Sequence, residues 1–121
     1  MTEKNLAPVV LFVYNRPEHT LKTIAALKAN GLALQTDLFV YADGARSPAQ
    51  QPSVDAVREC IADIKGFKSV TVNVSQSNRG LTDSIVGGVT TVVQQYGQVI
   101  VVEDDIVVSP TFLDYMNDAL T

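Results

Sequence analysis

The chain has 121 residues, enough for one ordinary domain and too few for two of similar size. With 46% hydrophobic and 18% charged residues it has the composition of a folded globular protein, and a net charge of -4 leaves no basic surplus to neutralise nucleic acid or an anionic membrane surface. A lone cysteine, Cys60, has no partner for an internal disulfide, and a single histidine, His19, excludes a Cys/His zinc cluster, so a reducing, cytoplasmic setting is expected.

In chain order, the first apolar run spans Val9 to Tyr14 and is far too short for a signal peptide or a membrane span. Pro17 and Glu18 then open a helix that stops at Asn30-Gly31. A second strand is expected at Leu38 to Ala42. Val54, Val57, Ile61 and Ile64 mark one face of a second helix, with Ser53 as its N-cap and Gly66 beyond its end. Val70 to Val74 reads as a third strand. Leu81, Ile85, Val89, Val92 and Tyr96 form the apolar stripe of a third helix that Gly97 terminates. Val99 to Val102 is the fourth strand, and Ser109-Pro110 would start a last helix. Gly87-Gly88 suits close packing of the third helix on a sheet, His19 an exposed helix face, and Cys60 a small buried hydrophobe.

Nearly continuous apolar strands alternating with helices define an α/β protein, a Rossmann-like three-layer α/β/α arrangement around a mainly parallel sheet. The common doubly wound path gives strand order 3-2-1-4, which places strands one and four at the switch point where ligands bind beyond the strands' carboxyl ends. The residues in that position are Tyr14-Asn15-Arg16, Asp43-Gly44, Ser75 to Gly80 and Glu103-Asp104-Asp105. Three consecutive carboxylates at the edge of a core repel one another, and a hard divalent cation, Mg²⁺ or Mn²⁺, would offset that repulsion. Arg16 at a helix N-terminus suits a phosphate, Tyr14 offers a ring for a base to stack on, and Asp43 offers an acceptor for a base N–H or a ribose hydroxyl. Arg79 stands near the start of the third helix. Neither the Gly-x-x-x-x-Gly-Lys phosphate loop nor the Gly-x-Gly-x-x-Gly dinucleotide turn follows the first strand.

Taken together, Pro-Val-Val-Leu-Phe-Val-Tyr-Asn-Arg-Pro, Tyr-Ala-Asp-Gly, Ser-Asn-Arg-Gly-Leu and Val-Ile-Val-Val-Glu-Asp-Asp-Ile-Val-Val-Ser-Pro-Thr-Phe-Leu resemble the donor-binding half of a GT-A glycosyltransferase, closest to the family-2-like and N-acetylglucosaminyltransferase I types. The resemblance implies a metal-dependent enzyme that takes a nucleoside-diphosphate sugar, a UDP-sugar above all, and passes the sugar to an acceptor it does not name. It implies that Tyr14 stacks on the base and Asp43 reads a uracil N–H. Arg16 would then lie near the diphosphate and Arg79 near the base or phosphates. Asp105 would be a direct metal ligand, Asp104 would approach the ribose or a metal-bound water, and Glu103 would meet the donor sugar. Such enzymes run to about twice this length, so a piece of a longer catalytic domain is expected, with the catalytic base outside it. The alternatives are a nucleotide-binding module without catalysis and a receiver-like signalling domain. Val99 to Val102, apolar on both faces, is expected to self-associate at the sheet edge or to be covered by the C-terminal helix.

Overall fold

The computed structural model describes residues 6–120. Its regular elements are β1 (Val9–Val13), α1 (Pro17–Lys28), β2 (Asp37–Ala42), α2 (Gln51–Ile61), β3 (Ser69–Val74), α3 (Leu81–Tyr96), β4 (Ile100–Glu103) and α4 (Phe112–Ala119). The four strands form one sheet in the order β3-β2-β1-β4, and every pairing is parallel. This is the expected α/β, Rossmann-like arrangement.

Handedness explains the layers. Stepping from β1 to β2 to β3 in one direction through right-handed crossovers puts α1 and α2 on one face, and the return from β3 to β4 puts α3 on the other. The larger core lies on the first face. Val9, Leu11 and Val13 of β1, Leu38 and Val40 of β2, and Ile100 and Val102 of β4 meet Ile24, Leu27, Val57, Ile61 and Leu113 there. On the second face Val10 and Phe12 pack against Val92 of α3. β1 sits between two strands and under helices on both sides, so all five of its residues are buried.

α3 lies close to the sheet because Gly88 has no side chain. A Cβ there would stand 3.0 Å from the Phe12 ring and 3.2 Å from Tyr41. Gly97 ends this helix in the left-handed region, φ 80°, as its position after the apolar stripe suggests.

α4 joins the larger core through Leu113 and is tied by two buried asparagines. Asn30 Oδ1 accepts from the Leu113 N–H at 2.9 Å, and Asn117 Oδ1 accepts from the Ala7 N–H at 2.8 Å. The helix ends at Ala119, where the Leu120 N–H donates to the Met116 and Asn117 carbonyls. Thr121 lies outside the described residues.

Several element boundaries differ from those expected of the sequence. Ser53 is not an N-cap: α2 begins at Gln51, directly after a 3₁₀ turn over Pro48–Gln50, and the Ser53 hydroxyl donates back to the Gln50 carbonyl at 2.9 Å. Ile64 falls beyond α2 yet still packs on the larger core, which is why it matches the helical spacing. The last helix starts at Phe112, not at Ser109-Pro110, because the Ser109 carbonyl is already engaged by Asn30 Nδ2 and by the Phe112 N–H. Cys60 is only partly buried, its thiol 3.8 Å from the Pro17 carbonyl, and burial is the main cause that pushes its pKa up. β4 is an edge strand whose faces differ: Ile100 and Val102 are buried, whereas Val101 is 40% exposed beside the single helix of the second face. α4 packs on the first face and leaves the β4 edge at the margin of the sheet.

Candidate functional site

Beyond the carboxyl ends of β1, β2 and β4 opens a cleft of about 380 Å³. Tyr14, Asn15, Arg16, Asp43, Glu103, Asp104 and Asp105 all line it, so seven of the eight residues singled out from the sequence meet in one place. They do so because a parallel sheet brings every strand's carboxyl end to the same edge. α1 and α3 also start there, and in neither does the N-cap side chain bond the first turn, so the positive ends of both dipoles lie at the cleft.

Tyr14 is half-buried and held by its hydroxyl, which donates to Gln50 Oε1 and accepts from the Arg46 N–H at 2.9 Å. These bonds lay the segment after β2 along the cleft and bring Arg46 and Gln50 into its wall.

Asp43, 9% exposed, is the most heavily bonded side chain of the site. Its Oδ1 accepts from the N–H groups of Gly44 and Arg79, both at 2.8 Å. Its Oδ2 accepts from the Gly80 N–H at 3.0 Å and from Asn78 Nδ2 at 3.2 Å. A carboxylate offers about four lone-pair sites, and all are in use. Gly44 permits the approach of the two loops, since a Cβ there would lie 2.6 Å from the Ser77 backbone. Asp43 thus fastens the turn before α3 to the end of β2.

The acidic triplet spreads over three environments. Glu103 ends β4 in register with Phe12, on the α3 side of the sheet. Asp104 is half-buried: its N–H donates to the Phe12 carbonyl at 3.1 Å, and its own carbonyl accepts from the Thr23 hydroxyl at 2.9 Å. Burial pushes the Asp104 carboxyl above the usual range, and the Asp105 charge adds to the rise. The Arg16 guanidinium, a bond from the Tyr14 backbone N–H and His19 oppose it without cancelling it. Asp105 is exposed.

Among the described residues no three His, Cys, Asp or Glu side chains converge as a ready metal cage. A cation here would be held by Asp104 and Asp105 and would take its other positions from ligand oxygens and water, the usual habit of Mg²⁺. Asp104 and Asp105, both in the cleft wall, offer the hard oxygen donors that such an ion takes.

Arg79 departs from the expectation. Its backbone N–H serves Asp43, but its side chain lines a neighbouring hollow of about 220 Å³ with Tyr41, Asn73 and Ser75. Its guanidinium lies over Gly87, Nη2 being 3.2 Å from where a Cβ would stand. Gly87 therefore makes room for Arg79, and Gly88 alone serves the sheet contact. Asn78, within the Ser75 to Gly80 segment expected at the strand ends, lines the cleft, and Arg46, Gln50 and Ser84 are cleft residues that the sequence reading passed over. Arg46 was reachable, since it lies in a loop that follows a strand end; Gln50 and Ser84 come from a turn and the first turns of a helix and carry no such signal.

No model of a known protein family matches this chain, and no curated protein matches it as a relative. What the fold defines is a Rossmann-like α/β domain with its cleft at the β1/β4 switch point. Among the described residues no helix is long and apolar enough to cross a membrane. The strand order also differs from the 2-1-3-4 start of receiver-like domains.

Proposed function

We propose that this domain binds a nucleoside-diphosphate sugar, a UDP-sugar first of all, as the donor part of a metal-dependent glycosyltransferase. The observation that carries the reading is the meeting of Tyr14, Arg16 and the Glu103-Asp104-Asp105 triplet around one cleft that two uncapped helix N-termini also enter. Tyr14, its hydroxyl anchored, would offer its ring to the base. Arg16 and Arg46 are exposed cations on the cleft wall suited to the diphosphate. Glu103, in the cleft wall, would accept from sugar hydroxyls. To accept a base N–H as well, Asp43 would have to release Asn78 Nδ2, its longest bond. Asp104 and Asp105 would hold a divalent cation, which would supply electrostatic stabilisation of the diphosphate leaving group.

Calorimetric titration with UDP-, GDP- and dTDP-sugars, with and without Mn²⁺, tests the reading. Tighter UDP-sugar binding with the metal, abolished by Asp105→Ala, is the expected result. Equal affinity with and without metal in the wild-type protein refutes it.

A nucleotide-binding module without catalysis is the second reading. The described cleft lining holds no histidine, and its only carboxylates are the fully engaged Asp43 and the triplet assigned to cation and sugar. UDP-sugar hydrolysis with added Mn²⁺ separates the two: slow hydrolysis favours the enzyme, and binding without any turnover favours the module.

A further inference from the structure

The acidic triplet opens a loop, residues 104–111, that has no regular structure of its own beyond a turn at each end, where the Ile106 N–H donates to the Glu103 carbonyl and the Phe112 N–H to the Ser109 carbonyl, both at 3.1 Å. In its middle Ile106 and Val107 are exposed, and Val108 alone turns into the core. The loop is nevertheless pinned at both ends by buried polar side chains from one source. Thr23, 0% exposed on α1, donates its hydroxyl proton to the Asp104 carbonyl at 2.9 Å. Asn30, 3% exposed just past the end of α1, donates from Nδ2 to the Ser109 carbonyl at 3.2 Å and accepts from the Leu113 N–H at 2.9 Å. The same helix carries Arg16 at its N-cap.

We infer that α1 is the gauge of the site, and that Thr23 is a positioning residue that holds Asp104 and Asp105 at a set distance from Arg16. This rests on the cation-assisted reading given above. Residues 104 and 105 follow the last strand residue, so their carboxylates inherit their position from the backbone at 104. The sheet holds one side of that backbone through the Asp104 N–H bond to Phe12, and Thr23 holds the other through the carbonyl. A buried hydroxyl with a single partner is spent on that bond, and neither Thr23 nor Asn30 lines the cleft. Groups that orient ligands from behind typically change metal affinity by roughly 10- to 100-fold when removed.

The experiment titrates UDP binding at a series of Mn²⁺ concentrations in the wild-type protein, Thr23→Val and Thr23→Ser, alongside thermal melts. Thr23→Val is expected to raise the half-saturating Mn²⁺ concentration roughly tenfold or more, and Thr23→Ser, which keeps the hydroxyl, to restore the wild-type value. If Thr23→Val does not fold, Thr23→Ala, which sets no methyl against the carbonyl, replaces it. A folded variant with lowered Tm but wild-type Mn²⁺ dependence overturns the inference alone, since a merely structural threonine would behave so. Wild-type protein that binds UDP equally without metal overturns the reading of the site, and the inference with it.

Discussion

Removing the Asp43 carboxylate should unfasten the turn that leads into α3. Asp43→Ala takes acceptors from four donors at once: the N–H groups of Gly44, Arg79 and Gly80, and Asn78 Nδ2. A hydrogen bond to a charged group contributes about 1.5–3 kcal/mol net, so four at the lower end would sum to about 6 kcal/mol. The cleft is open to water, which can reach some of the freed donors, so about half of that, roughly 3 kcal/mol, is the expected loss. For a domain of this size that corresponds to a fall in Tm on the order of 10 °C. Asp43→Asn should fall between, because its single carbonyl oxygen keeps two donors while its amide faces the others. Thermal and urea denaturation of both variants measure the effect. An Asp43→Ala protein melting within about 2 °C of wild type would refute the reasoning. Nucleotide titrations on the same Asp43→Asn protein test the base contact separately: an unchanged preference for uridine over other nucleotides removes Asp43 from base recognition.

Asp104→Asn should raise the Tm of the metal-free protein while abolishing the Mn²⁺ effect on UDP binding. The raised carboxyl pKa means that the folded state holds its proton to higher pH than the unfolded chain, so ionisation costs stability as pH rises. The Tm advantage of Asp104→Asn should accordingly be full above the folded-state pKa and vanish as pH falls below the unfolded-state value; an advantage independent of pH would contradict this. Gly88→Ala should destabilise by about 1–3 kcal/mol, since its Cβ would press on Phe12, and an unchanged urea midpoint would refute the close approach of α3. At the β4 edge, where Val101 is 40% exposed, self-association through strand pairing is expected. Size-exclusion chromatography with light scattering over a concentration series, read beside hydrogen exchange of the β4 amides, checks it; a monomer at every concentration with fast exchange on that edge counts against it.

The β-branched runs at Val9, Leu38, Val70 and Val99, and the stripe from Leu81 to Tyr96, were enough by themselves to determine the class, the order of elements and the parallel sheet. Burial on both faces writes itself into β1 as an uninterrupted apolar run, and burial of one helix face appears as a repeat of three and four; β3, exposed along most of its length, keeps only the β-branched signal. Parallel pairing then brings the residues after each strand to one edge, which is why Tyr14, Arg16, Asp43 and Glu103 to Asp105 could be named before their neighbours were known. Tertiary structure alone decided where the side chains went. Arg79 turned aside because Gly87, eight residues on, left a space beside it. Asp43 spent its carboxylate on backbone donors 36 and 37 residues away, and Thr23 reached a carbonyl 81 residues away. Val101 stayed exposed because one helix cannot cover four strands. Local periodicity records only how much of a segment is hidden, whereas a polar side chain is fixed by the particular donor or acceptor that folding brings to it, and that partner lies far off in the chain.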